Sequence, residues 1–186
     1  LEAGKATGVD GVSKREYGKN LEENLRELSE RLKRMGYRPG QKRRSYIAKP
    51  DSAKGRPLGI SNFEDKIVEL MLKRTLEPIY EAVFEDSSYG YRPNSSQHKC
   101  LDALGRTIQQ GKVNYIVEAD IKSFFDKVNH EWMVKFLRHR IGDERVIRLI
   151  IRMLKSGILE GGLTRATEEG TPQVSILSPL LSNIYL

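Results

Sequence analysis

The sequence has few of the residues that build disulfide bonds and zinc sites. Its one cysteine, Cys100, excludes an intramolecular disulfide and a Cys-rich zinc site, and it suits a reducing compartment. The three histidines, at 98, 130 and 139, do not have metal-ligand spacing. No apolar run approaches the roughly 20 residues of a membrane-spanning helix, and no charged-then-apolar leader is present. Because the sequence starts at Leu1 rather than at a methionine, we expect an excised fragment of a longer protein.

Acidic residues are scarce in one stretch of the chain. Residues 31–57 contain ten Lys or Arg and one acid, Asp51, while the whole chain of 186 residues has a net charge of +7. A hydrophobic content of 38% with 31% charged residues is typical of a soluble globular protein. Clustered cations release counterions from nucleic acid phosphates. The charge therefore predicts a nucleic acid partner, and a solvated basic surface is the alternative.

Residues 113–121 alternate apolar and polar side chains, which predicts a short strand with one apolar face. Asp120 lies near the end of this strand, on its more polar face. Mg²⁺ takes few protein oxygens and binds substrate phosphates, so an acid on a rigid strand end favours metal-assisted phosphoryl transfer. A helix cap or a surface acid is the alternative for Asp120.

Cap residues and apolar periodicity predict the other elements. An apolar stripe from Leu21 to Met35 predicts a helix that ends at Gly36 and that packs on the domain or contacts a second copy of the chain. Further helices are expected after the cap residues Ser13, Ser61 or Asn62, Ser95, Asn129 and Asp143, and over residues 176–186. Hairpins are expected over residues 45–60 and around the Gly161-Gly162 turn.

Several motifs in this chain resemble, in the right order, those of group II intron-encoded reverse transcriptases. They are RRSYIAKPDSAKGRPLGI at residues 43–60, FEDSSYGYRP at 84–93, ADIKSFFD at 119–126 and GTPQVSILSPLL at 170–181. The resemblance implies an α+β fold, the reverse transcriptase right-hand polymerase fold, mostly helical with small antiparallel sheets. Residues 1–112 would form the fingers and residues 113–186 part of the palm, with the thumb, maturase and endonuclease domains absent.

The resemblance also implies roles for single residues. Asp120 would hold both of two Mg²⁺ ions and the backbone oxygen of Ile121 would hold one. The ring of Phe125 would lie under the sugar and exclude ribonucleotides, although Phe124 and Phe125 could both be core residues. Lys49, Arg56 and Gln173 would contact the nucleotide.

Four basic residues are predicted to bind RNA: Lys42, Arg43, Arg44 and Arg92. For Arg92, which would meet the template backbone, a buried structural turn is the alternative.

Two features set this chain apart from the complete family pattern. Val174 stands where the family has a glycine, and a branched side chain there should narrow the nucleotide pocket. The sequence also stops before the family's Y-x-D-D hairpin. Two metal ions ~4 Å apart need more than one carboxylate, so the metal site is expected to be incomplete and this fragment inactive by itself.

The predicted function is that of an intron-encoded RNA-directed DNA polymerase and maturase that binds group II intron RNA. The full-length protein would also bind an RNA template, a DNA primer and deoxynucleotides, in the bacterial cytoplasm with the nucleoid or RNA and without a membrane. The alternative is an RNA-binding splicing cofactor with weak or no polymerase activity. A Mg²⁺ nuclease that uses Asp120 and Glu118 has the least support, because no further acid cluster accompanies them.

Overall fold

The computed structural model describes residues 6–49, 52–165, 169–171 and 175–186, without the side chains of residues 49, 52–54, 56 and 165. Helices and one small sheet make up this part of the chain, so the predicted α+β class is confirmed. No helix of the described residues is long and apolar enough to cross a membrane. The helices are α1 (Lys14–Tyr17), α2 (Leu21–Lys33), α3 (Phe63–Glu81), α4 (Gln97–Gln110), α5 (His130–Arg140), α6 (Glu144–Leu154) and α7 (Ser178–Tyr185), with 3-10 turns at Gly18–Asn20 and Phe124–Asp126.

Most predicted helix starts are confirmed because they depend on a local cap. The side chains of Ser13, Asn129 and Asp143 accept hydrogen bonds from the first-turn amides of α1, α5 and α6. For α4 the capping side chain is that of Ser96, one residue after the predicted Ser95.

The end of α2 differs from the prediction by one residue. Met35, not Gly36, adopts the left-handed conformation, with φ 55°. The amide of Gly36 donates to the carbonyl of Arg31 at 2.8 Å and that of Met35 donates to Leu32 at 3.0 Å, which is a Schellman motif. Of the predicted apolar stripe, Leu28 is buried, whereas Leu21 and Leu25 are exposed.

The two predicted hairpins join in one four-stranded sheet. The first is formed by β1 (Lys42–Lys49) and β2 (Ser52–Ile60), and the second by β3 (Ile158–Glu160) and β4 (Leu163–Arg165). The strand order is β2-β1-β3-β4, and β1 pairs with β3 in parallel through Lys42 opposite Ile158. Both hairpins are antiparallel, as expected, and the parallel pair that joins them was not predicted, because its two strands are distant in sequence.

One hydrophobic core connects the two predicted regions. Val68, Leu72 and Leu76 of α3 belong to the same buried cluster as residues of α5, α6 and α7, such as Leu137 and Ile150. The boundary between residues 112 and 113 remains a prediction, and the core contains residues from both sides of it.

The strand predicted at residues 113–121 is not formed. This segment has no regular secondary structure and its residues are exposed, with Tyr115 and Val117 each 90% exposed. Within the described chain no strand pairs with it, and a lone extended segment leaves its amides and carbonyls without ladder partners. The alternation of apolar and polar residues thus indicates a segment that is compatible with a sheet. A strand forms only where a second strand pairs with it, and the alternation gives no information about such a partner.

Candidate active site

The segment after Asp120 turns sharply into a short 3-10 helix. Ser123 has left-handed backbone angles, φ 56° and ψ 36°, directly before the turn Phe124–Asp126. The ring of Phe124 packs against that of Tyr185 with a centroid distance of 6.1 Å. Phe125 is only partly buried and meets Tyr91 edge to face at 6.5 Å. The two phenylalanines therefore differ: one joins the core, while the other lies at the surface beside the 84–93 motif.

The beginning of the 170–181 motif is hydrogen-bonded to this turn. The Thr171 amide donates to the Phe125 carbonyl at 2.7 Å, and the Gly170 amide donates to the Val128 carbonyl at 2.8 Å. The buried ring of His130 bonds through Nε2 to the Gly170 carbonyl at 2.7 Å. Since a carbonyl only accepts, Nε2 carries the proton in this contact. The loop that leads to Gln173 therefore starts against the backbone of Phe125.

Gly170 is required at this contact for two reasons. Its φ is +84°, which L side chains rarely adopt, and an added Cβ would lie 2.9 Å from the carbonyl oxygens of both Phe125 and Asp126. The close approach of the two backbones therefore depends on the absence of a side chain.

The 84–93 block meets the same region through α7. Asn183 donates from Nδ2 to the Gly90 carbonyl at 2.8 Å. Arg92, by contrast, holds the turn itself: its guanidinium pairs with Glu81 at 2.7 Å and donates to the carbonyls of Glu85 and Ser88. The structural alternative for Arg92 is therefore favoured over contact with a template.

Asp120 and Ile121 are both exposed, and they lie on the irregular segment that precedes the turn. Among the residues that the structure describes, no three His, Cys, Asp or Glu side chains are grouped so that they could hold a metal ion. One exposed carboxylate does not fit the two-ion site that the resemblance implies. The described residues therefore do not form a metal centre.

The nucleotide-contacting residues are only partly described. Lys49 lies opposite Ser52 and Arg56 lies opposite Ile47, with a bulge between Ile47 and Lys49. These two cations are thus on facing strands, as predicted, but they are not directly paired. Gln173 and the unusual Val174 lie outside the described residues.

Lys42 was predicted to bind RNA, and its placement contradicts that role. Lys42 is 3% exposed, and its ammonium group forms an ion pair at 2.8 Å with the carboxylate of Glu69, which is 1% exposed. Ser61 donates to the same carboxylate oxygen, and the Ile176 amide donates to the other at 2.9 Å. Burial alone would raise the pKa of Glu69, but Lys42 and these hydrogen bonds outweigh it and lower the pKa. Lys42 is consequently a buried counterion and has no free face for a phosphate.

Arg43 and Arg44 remain at the surface of the hairpin, half-buried. Arg43 donates from Nε and one terminal nitrogen to the Thr7 carbonyl, at 3.0 and 2.9 Å. The Nε atom of Arg44 is buried, with no hydrogen-bond partner among the described residues. Arg43 therefore attaches the N-terminal segment to β1, and Arg44 is the less engaged of the two.

A second buried acid on α3 was also missed. Asp65 accepts one hydrogen bond from the Tyr37 hydroxyl and another from the Gly40 amide at 3.1 Å. Desolvation raises the pKa of Asp65 to about 6, although these two hydrogen bonds act to lower it. Burial beside this acid also raises the pKa of Tyr37. One signal could have found both acids: Asp65 and Glu69 are one helical turn apart on a helix whose apolar residues cover more than one face.

The fold and these motifs together define the class of the protein. Residues 47–186 match the family described as reverse transcriptase (RNA-dependent DNA polymerase), and the chain belongs to this family. The family uses divalent metals in general, although the described residues do not form such a site.

Curated relatives identify the branch of the family that the chain resembles. It is 44% identical over 165 residues to the group II intron-encoded protein LtrA of Lactococcus lactis subsp. cremoris, covering 89% of this chain and 27% of LtrA. It is 38% identical over 182 residues to protein YkfC of Escherichia coli, covering 96% of this chain and 48% of YkfC. The predicted resemblance to group II intron-encoded proteins is thus confirmed, and the chain spans less than half the length of these relatives.

A solved structure supports the fold. A chain of the partial Cas6-RT-Cas1–Cas2 complex matches with a TM-score of 0.61 and 25% identity, over 97% of this chain and 30% of that chain.

Proposed function

We propose that this chain is the nucleotide-selecting part of an intron-encoded RNA-directed DNA polymerase that also binds group II intron RNA as a maturase. The observation that carries this proposal is the meeting of three motifs at one place: Phe125 contacts Tyr91 of the 84–93 block and bonds to Thr171 of the 170–181 motif. Motifs far apart in sequence that converge beside a partly exposed ring suit a site that holds a nucleotide in a fixed orientation.

Within this proposal the roles of the residues are those of a nucleotide site. Phe125 lies under the sugar, Gln173 contacts the nucleotide, and Lys49 and Arg56 of the hairpin reach the triphosphate. Asp120 and the backbone oxygen of Ile121 contribute ligands to Mg²⁺, and further acids are needed to complete a two-ion site. Supporting observations are the exposure of Asp120 and the partial exposure of Phe125.

The test is primer extension on an RNA template by the natural full-length protein, with Asp120→Asn and Asp126→Asn compared at equal concentration. Asp126 is also exposed and lies six residues further along, so it controls for the loss of a nearby negative charge. We expect extension to fall at least about a hundredfold in Asp120→Asn and to stay within a few fold in Asp126→Asn, because even the loss of a group that only orients a metal ligand costs about 10–100-fold. Equal loss in both variants would argue against a specific role of Asp120.

Val174 gives a second test of the enzymatic role. Substituting Val174→Gly should preserve or increase the rate of extension, since glycine widens the pocket that we assign to the nucleotide. Complete loss of extension in this variant would contradict the proposal. Activity in splicing without any extension by the natural protein would favour the alternative, a splicing cofactor.

For the RNA partner, we propose that the basic hairpin binds phosphates of group II intron RNA, through Arg43 and Arg44 and not through Lys42. Its support is the charge of residues 31–57, ten cations against one acid. RNA template, DNA primer and deoxynucleotides are the further ligands of the full-length protein. Since the partner is intron RNA, we place the protein with that RNA in a bacterial cytoplasm.

A further inference from the structure

Tyr91 has an unusual position in the turn of the 84–93 motif. Its backbone is left-handed, with φ 56°, a conformation that costs energy for most residues other than glycine. Tyr91 is also 67% exposed, so it adds little to the core. The stability of the fold therefore does not explain why a large aromatic residue occupies this strained and exposed position.

The residues on both sides of Tyr91 are held by other parts of the chain. The Gly90 carbonyl accepts a hydrogen bond of 2.8 Å from the side chain of Asn183 on α7. The guanidinium of Arg92 pairs with Glu81 of α3 at 2.7 Å and donates to two carbonyls of the same turn. Strained backbone persists where the surrounding structure determines it, and it is concentrated at functional sites. The strain at Tyr91 thus points to a function for its side chain.

This backbone places the Tyr91 ring against the ring of Phe125. The ring centroids are 6.5 Å apart and the ring planes are at 84°, which is an edge-to-face contact. Aromatic pairs favour this arrangement, and it depends on the rings rather than on the tyrosine hydroxyl. Since Phe125 is only partly buried, the contact removes part of the rotational freedom that its side chain would otherwise have.

We propose that Tyr91 is a positioning residue for sugar selection: its ring holds that of Phe125 in the orientation that excludes a 2′-hydroxyl. This inference rests on the function proposed above, in which Phe125 lies under the sugar. In this role Tyr91 acts through Phe125 and not by contact with the nucleotide. Its loss should therefore change the choice between sugars and leave the incorporation of deoxyribonucleotides nearly intact.

The substitution Tyr91→Gly tests this role because glycine adopts the left-handed backbone without strain, so that only the ring is lost. The measurement is single-nucleotide primer extension by the full-length protein. We expect the ratio of kcat/KM for deoxyribonucleotides to that for ribonucleotides to fall about threefold to tenfold, which corresponds to the loss of an aromatic pair. The fall should come from a lower KM for ribonucleotides, while kcat for deoxyribonucleotides changes little.

Tyr91→Phe is the conservative variant, and it should keep the natural ratio because it keeps the ring. A folding defect alone would lower extension with both kinds of nucleotide equally and would leave the ratio unchanged. An unchanged ratio in Tyr91→Gly, in a protein whose ratio falls on Phe125→Ala, would overturn the positioning role and leave the proposed function intact.

Asn94→Gly is the matched control for the backbone. Asn94 is exposed, lies three residues further along, and has almost the same conformation as Tyr91, with φ 57°. The same replacement at the same backbone geometry should leave the ratio unchanged. If Asn94→Gly lowered the ratio as much as Tyr91→Gly, flexibility of the turn would be the cause and the role of the Tyr91 ring would be refuted.

The double variant Tyr91→Gly/Phe125→Ala separates action through Phe125 from a direct contact with the nucleotide. Phe125→Ala by itself removes the ring that Tyr91 holds, so the addition of Tyr91→Gly should cause no further fall in the ratio. A further fall as large as that of Tyr91→Gly alone would mean that Tyr91 acts independently of Phe125, which contradicts the positioning role.

A fluorine label on Phe125 gives a readout that needs no activity. With 4-fluorophenylalanine at position 125, ¹⁹F NMR reports on the surroundings of this ring. We expect the resonance to move in Tyr91→Gly and to keep its position in Tyr91→Phe and Asn94→Gly. An unchanged resonance in Tyr91→Gly would show that the two rings are not in contact. If Phe125→Ala left the ratio unchanged, the function proposed for Phe125 would fail, and the sugar-selecting role of Tyr91 with it, while the resonance would still show whether Tyr91 holds the ring.

Discussion

The Thr171 amide donates to the Phe125 carbonyl at 2.7 Å, across 46 residues of sequence. Because the bond uses backbone atoms, it fixes the two chain segments whatever the nature of the Phe125 ring. In the proposed function, the Phe125 ring can therefore contact the sugar while backbone atoms hold its chain segment in place. The group that would discriminate sugars, the Phe125 ring, is thus different from the backbone atoms that hold the segment in place.

Gly170→Ala should be destabilising by about 1–3 kcal/mol, because it imposes a strained positive φ and a clash with two carbonyl oxygens. Urea unfolding of the natural and variant proteins measures the change. Gly105→Ala on α4 is the control, since an added Cβ there meets nothing within 4 Å and alanine favours the helix by about 0.5–1 kcal/mol. If the two substitutions had the same effect, the close backbone contact at Gly170 would not exist.

Asp65 predicts a pH dependence of stability. Its pKa in the folded protein is about 6, above the ordinary 3.8, so the folded state binds the proton more tightly than the unfolded state does. The stability that this protonation contributes is full below about pH 4 and is lost as the pH rises through about 6. Relative to Asp65→Asn, the natural protein should lose up to about 3 kcal/mol across this interval.

Urea unfolding at half-unit steps from pH 4 to pH 7 measures this difference. Using the difference between the two proteins cancels the opposite contribution of Glu69, whose lowered pKa favours stability at higher pH. A difference that stays constant over the interval would show that Asp65 titrates normally.

The sequence predicted what depends on neighbours in the chain. Caps such as Asn129 and turns such as Gly161-Gly162 were located because a few adjacent residues determine them. The parallel pairing of Lys42 with Ile158 was not predicted, since nothing local indicates a partner 116 residues away. The incorrect prediction for Lys42 has the same cause. Its basic neighbours in sequence indicated a surface that binds phosphate, whereas its partner, Glu69, lies on an apolar helix.

Phe125→Ala should relax the choice between sugars. The ring is partly exposed and is placed by backbone bonds, so its removal should open space for a 2′-hydroxyl with little loss of structure. We expect the ratio of kcat/KM for deoxyribonucleotides to that for ribonucleotides to fall at least tenfold in single-nucleotide primer extension. Phe124→Leu is the control: Phe124 packs against the core and Tyr185, so its loss should lower stability and leave the ratio unchanged.

Arg44→Glu should weaken RNA binding more than the same change on another basic surface. Arg44 is half-buried on β1 of the basic hairpin, whereas Arg148 is exposed on α6 and provides a control of equal charge. Affinity for structured group II intron RNA should fall steeply with salt, and Arg44→Glu should lower the slope of log K against log salt by about one. Filter binding at about 50 to 300 mM salt, over which the Debye length falls from roughly 14 to 6 Å, gives that slope. An equal reduction by Arg148→Glu would mean that total charge, rather than the hairpin, determines RNA binding.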